Sequence, residues 1–161
     1  MRHSILRDGL IAGVLGATSV AIWFFFVDLF FGQVLATPFM LGRGLISILG
    51  IAPTNKLLVV AVYTVFHYAA FFGVGLLAAV IIHWSEKVPS VLAGAFIFFV
   101  TIEAGFYLMT LILAGSPSYG GLSAVQVATG NLIAAMAMGT YLWRTHPKLK
   151  SGLDYALSGR P

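Results

Sequence analysis

Between Val88 and Trp143 the chain runs for fifty-six residues with a single formal charge, Glu103. Few folds accept such a stretch. A helix at a protein–water surface needs a polar outer face, and here the apolar character continues round the whole circumference. Two membrane-crossing helices accommodate it, since each needs about 20 predominantly apolar residues. They leave Glu103 near mid-bilayer, where an ionised carboxylate costs roughly 2.5–3.5 kcal/mol on insertion scales. Glu103 is therefore neutral, paired or turned to an interior.

Composition extends this reading to the whole chain. It is 60% hydrophobic and only 9% charged, where about 25% charged residues is usual in soluble domains. The expectation is an all-α integral membrane protein, a single membrane domain over residues 1–161. The absence of cysteine excludes a disulfide framework, thiol catalysis and thiolate metal sites. A net charge of +4 could suit nucleic acid, but the basic residues flank apolar spans. That is the loop bias of a membrane protein, so the lipid bilayer is the expected partner and nucleic acid is not.

Four spans are expected, at about 9–32, 57–84, 90–114 and 122–143. The first follows a short basic head, Met1 to Asp8. A cleaved signal peptide is the rival reading, with Ala17 and Ser19 as small residues near a cleavage site. Against it, the apolar run continues through Ile22-Trp23-Phe24-Phe25-Phe26, well beyond a signal core of about 7–15 residues. Between spans one and two, Thr37-Pro38 predicts a helix start, a capping hydroxyl followed by proline at the first helical position. The resulting interfacial helix, about 38–49, carries Arg43 and ends at Gly50. The short turn Ser85 to Pro89 makes spans two and three antiparallel neighbours. Residues 144–161 read as a basic, poorly ordered cytoplasmic tail.

This layout puts Arg2, Arg7, Lys87, Arg144, Lys148, Lys150 and Arg160 on one side and Arg43 and Lys56 on the other. The bias predicts cytoplasmic termini. Trp84 and Trp143 fall at inner ends, where indole rings favour the headgroup boundary. The first span leading into Leu35-Ala36-Thr37-Pro38, and the ending Asn131-Leu132-Ile133-Ala134-Ala135-Met136-Ala137-Met138-Gly139-Thr140-Tyr141-Leu142-Trp143-Arg144, resemble small four-span bacterial membrane proteins of uncharacterised role. The resemblance covers most of the chain. It implies a bacterial inner-membrane location and carries over no activity and no residue role.

Helical rise sets His67, Glu103 and Asn131 at nearly one depth, with Asp28 above them in the outer leaflet. Glu103, His67 and Asn131 form the expected intramembrane polar or proton site. For Asn131 the plainer alternative is an interhelical hydrogen bond. For His67 it is a neutral imidazole bonded to a hydroxyl or carbonyl. Asp28 is expected to pair with Arg43 at the outer boundary. Gly9, Gly13, Ala17 and Ala21 make a small-xxx-small stripe that admits another helix closely. Glu103 shares its own stripe with Phe96, Phe99 and Val100, so span three packs through aromatics or turns Glu103 toward a partner chain.

The sequence contains no His-x-x-x-His or Glu-x-x-His pair, glycine-rich phosphate loop or Gly-x-Ser-x-Gly elbow. His3 and His146 lie outside the spans and His83 near the inner boundary, which leaves His67 without a second imidazole for haem. No catalytic residue, metal or cofactor is therefore expected, although a His67–Glu103–Asp28 metal triad is geometrically conceivable. The leading expectation is a non-enzymatic accessory or structural subunit that packs with other membrane proteins or with copies of itself. The alternatives are a small transporter or proton-conducting element using Glu103 and His67, and a quinone- or cofactor-binding redox component with His67 as hydrogen-bond donor.

Overall fold

The computed structural model describes residues 4–48, 50, 55–88, 90–93, 96, 99–100 and 123–148. Among them every regular element is helical. The helices are α1 (Ile5–Phe30), α2 (Ala36–Ile48), α3 (Lys56–Ser85) and α4 (Ala124–Thr145). Glu103, most of the expected third span and the chain beyond Lys148 lie outside the described residues. Phe96, Phe99 and Val100, which do not, are exposed.

Local chemistry sets the helix ends. Asn55 caps α3 by accepting the Leu57 N–H at 2.8 Å. Ser123 and Gln126 form a reciprocal capping box at the start of α4, which satisfies two of the donors that a helix N-terminus leaves free. Between α1 and α2 the chain reverses through Gly32 and Leu35, both at positive φ. For Leu35, with φ of 64°, that conformation costs about 1–2 kcal/mol. The reversal brings the start of α2 back onto Asp28. The helix begins at Ala36, so Thr37 lies inside its first turn and is not the capping residue that the sequence suggests.

α1 is the central helix. It packs along α3 on one face and α4 on another, α2 lies against α3, and α3 and α4 scarcely meet. Gly9 sits on the backbone of Gly75 and Leu76, and Gly13 on that of Phe71 and Phe72, so α3 runs antiparallel to α1. A Cβ on Gly13 would stand 2.6 Å from the Phe71 carbonyl oxygen. α4 is antiparallel to α1 as well: Tyr141 meets Asp8, Met138 covers Gly16, and Gln126 and Gly130 meet Trp23. Ala12, Ala79, Met138 and Leu142 form the buried core between the three helices.

The small-residue stripe follows this seam only in part. Gly9, Gly13 and Ala17 are buried, whereas Ala21 is exposed. Beyond Ala17 a cavity lies between α1 and α3, bordered by Ala21 on one side and by His67 and Tyr63 on the other. The burial pattern is otherwise the reverse of that of a water-soluble domain. The residues α1 buries are Asp8, Gly9, Ala12, Gly13, Gly16, Ala17, Val20 and Asp28, while Leu6, Leu10, Ile22, Phe25, Phe26 and Phe30 face outward. α3 buries only Val59, Gly75, Ala79 and Ser85. Both helices are long and apolar enough to cross a membrane.

Candidate functional site

Two polar clusters and a cavity lie along α1. Near its C-terminal end Asp28, only 5% exposed, takes both available donors of Thr37. The Thr37 N–H donates to one carboxylate oxygen at 2.9 Å and the hydroxyl to the other at 2.6 Å. The carboxylate thus caps α2, where unpaired N–H groups and the helix dipole favour negative charge. This replaces the expected pair with Arg43. That residue is six positions beyond Thr37, about 9 Å further along the helix. Its guanidinium is exposed and lies 5.9 Å from the centre of the Phe39 ring, which Lys56 approaches to 5.6 Å.

In the middle of α1, His67 Nε2 lies 3.0 Å from the Ala17 carbonyl oxygen. A carbonyl can only accept, so the neutral imidazole carries its proton on Nε2 and keeps a lone pair on Nδ1. Toward a ligand the neutral ring is therefore an acceptor, not the donor expected from sequence. Tyr63 stacks on the imidazole with centroids 5.8 Å apart, and Phe71 packs at 4.9 Å. One residue further along each helix the hydroxyls of Thr18 and Tyr68 are 3.0 Å apart. A cavity of about 320 Å³ follows α1 from Thr18 to Asp28, with Tyr63, His67 and Tyr68 of α3 opposite and Thr37 and Pro38 of α2 at its end.

The cluster at the N-terminal end of α1 has no counterpart among the sites expected from sequence. Asp8 is 4% exposed and accepts from the Tyr141 hydroxyl at 3.2 Å, while His146 Nε2 lies 3.8 Å from its other oxygen. His146 does not belong to a loose tail. It is the C-terminal cap of α4, 3% exposed, with its backbone N–H on the Leu142 carbonyl and Nδ1 3.0 Å from the same oxygen. The sequence carried one usable signal. Asp8 lies near the start of the first apolar stretch and His146 just past the end of the last, so antiparallel packing of the two would set them level.

The expected polar layer is divided. His67 lies level with Ala17, whereas Asn131 follows Gly130, which packs on Trp23, six residues and about 9 Å further along α1. Asn131 is half-buried and has a bonding partner. Glu103 lies outside the described residues, and with it any pairing with His67. Among the described residues no three His, Asp or Glu side chains converge as metal ligands. The chain matches no family model, no curated protein and no solved structure.

Proposed function

We propose that this chain is a non-enzymatic integral membrane protein of four spans that packs, as an accessory or structural subunit, against other membrane helices or a second copy of itself. The observation that carries the reading is the inverted burial of α1 and α3, with glycine, alanine and aspartate inside and phenylalanine, leucine and isoleucine outside. In water that distribution leaves large apolar surfaces unburied; in a bilayer those surfaces are solvated by lipid. Helix direction supports the span count. α3 and α4 both run antiparallel to α1, so Ser85 and Ala124 stand at opposite ends of the bundle. The thirty-eight residues between Ser85 and Ala124 must return along its height, and about 20 apolar residues suffice for a crossing. The basic-residue bias supports cytoplasmic termini, and the resemblance to small bacterial four-span proteins supports the inner membrane. Exposed Phe26, Phe30 and Phe31 at the C-terminal end of α1 offer contact area.

The cysteine-free chain suits single-cysteine labelling. Gln33→Cys should react with a membrane-impermeant maleimide in intact cells, and Ser4→Cys only after permeabilisation. Labelling of Ser4→Cys alone in intact cells would invert the topology, and extraction of the protein by alkaline carbonate would end the integral reading. Native purification in mild detergent should yield a complex larger than one chain; a lone monomer would remove the subunit role.

A further inference from the structure

We infer that the cavity beside His67 binds an uncharged hydroxylated aromatic ring, of the phenol or hydroquinone class, taken laterally from the bilayer. The inference rests on the bilayer reading of α1 and α3. Most of the polar groups in the cavity wall already answer one another: Thr18 with Tyr68, Asp28 with Thr37, and His67 Nε2 with Ala17. Beside the one hydroxyl proton that the Thr18–Tyr68 pair leaves unused, two atoms stand without a match. His67 Nδ1 holds a lone pair, and the Tyr63 hydroxyl has no hydrogen-bond partner among the described residues. The two side chains are one helical turn apart and stacked.

A ligand hydroxyl complements both, donating to Nδ1 while accepting from Tyr63. An ether or a quinone carbonyl accepts only and leaves the imidazole lone pair unmatched. A carboxylate or phosphate would bring charge to a wall without a cation, since Arg43 and Lys56 attend the Phe39 ring. Phe24, Phe25, Tyr63 and Tyr68 surround the space with rings, which suits an aromatic body. Its 320 Å³ lies near the lower end of ligand-pocket volumes, about 300 Å³ and upward. Access is lateral, because Ala21, Ile22 and Thr64 on the cavity wall are exposed on the outer surface of the helix pair.

The test uses the full chain in lipid nanodiscs, labelled with ¹⁵N-histidine, with 4-propylphenol and its methyl ether, 4-propylanisole, as probes. The phenol should bind at least about tenfold more tightly than the ether, about 1.4 kcal/mol. It alone should move the His67 Nδ1 resonance, assigned by its loss in His67→Gln. Tyr63→Phe should weaken phenol and ether alike about fivefold, on the scale of one neutral hydrogen bond, and leave the preference for the phenol, which His67 Nδ1 supplies, in place. This variant keeps the Ala17 bond of His67, so it also serves if His67→Gln fails to fold. Equal binding of phenol and ether, or binding of neither by protein that has entered nanodiscs, would overturn the site and leave the bilayer reading standing. Protein that does not enter nanodiscs would overturn both.

Discussion

α1 meets its two long neighbours in opposite ways. Against the C-terminal half of α3 the contact is backbone on backbone, with Gly9 and Gly13 on one side and Gly75 on the other; the side-chain bonds of that pair lie beyond Gly13. Against α4 it is made by side chains: Met138 over Gly16, the Trp23 indole on the Gln126 carbonyl at 2.9 Å, and Tyr141 on Asp8. In the bilayer proposed above, lipid supplies no hydrophobic drive between helices, so association comes from close packing or from polar pairs. One helix here uses both. The first seam should therefore respond to added volume and the second to lost polar atoms.

The largest effect is expected where volume enters the α1–α3 seam. Gly13→Leu should lower unfolding stability in mixed micelles by about 3 kcal/mol, at the upper end for overpacking. The backbone of Phe71 cannot step aside as a flexible side chain would. Leu15→Phe, on an exposed face, should change stability by less than about 0.5 kcal/mol. Equal losses in the two variants would show that backbone approach does not limit this seam.

Next comes the α1–α2 corner, where one carboxylate answers two donors. Asp28→Ala should cost about 2 kcal/mol by leaving the Thr37 N–H and hydroxyl unsatisfied in a buried site. A double-mutant cycle of Asp28 with Thr37 should show coupling of about 1 kcal/mol or more, and a cycle with Arg43 almost none. The reverse ranking would restore the ion pair.

Smaller still are the polar pins of the α1–α4 seam. Tyr141→Phe and Trp23→Phe should each cost about 0.6 kcal/mol, the mean for hydrogen bonds between membrane helices. Loss of Tyr141 should be silent once Asp8 is alanine; an undiminished cost in that background would remove the Asp8 bond from the account. The smallest effect should come from Ala21→Leu. It extends the stripe of Gly9 and Gly13 in sequence yet faces outward in the fold, so a stability change near zero is expected, and a loss like that of Gly13→Leu would close the cavity between α1 and α3.

From sequence alone came the helical class and the placement of α1, α3 and α4 to within about four residues at each end, near the usual boundary error. Those features follow from the length and apolarity of each stretch, which are local properties. The close approach at Gly9 and Gly13 was legible for the same reason, since a small-residue stripe belongs to one helix. Tertiary structure decided the rest. Thr37 read as a cap because nothing local shows that Asp28 returns to meet it. Arg43 read as a partner by charge, while the start of α2 already supplied the positive end. Ala21 is exposed and borders a cavity whose far wall, His67 and Tyr63, belongs to another helix, and the bond from that same His67 to Ala17 turned its free nitrogen into an acceptor. Asp8 and His146 lie 138 positions apart in sequence and meet only because α1 and α4 pack antiparallel. Periodicity shows which face of a helix is small, polar or aromatic; what stands opposite that face is a property of the packed bundle.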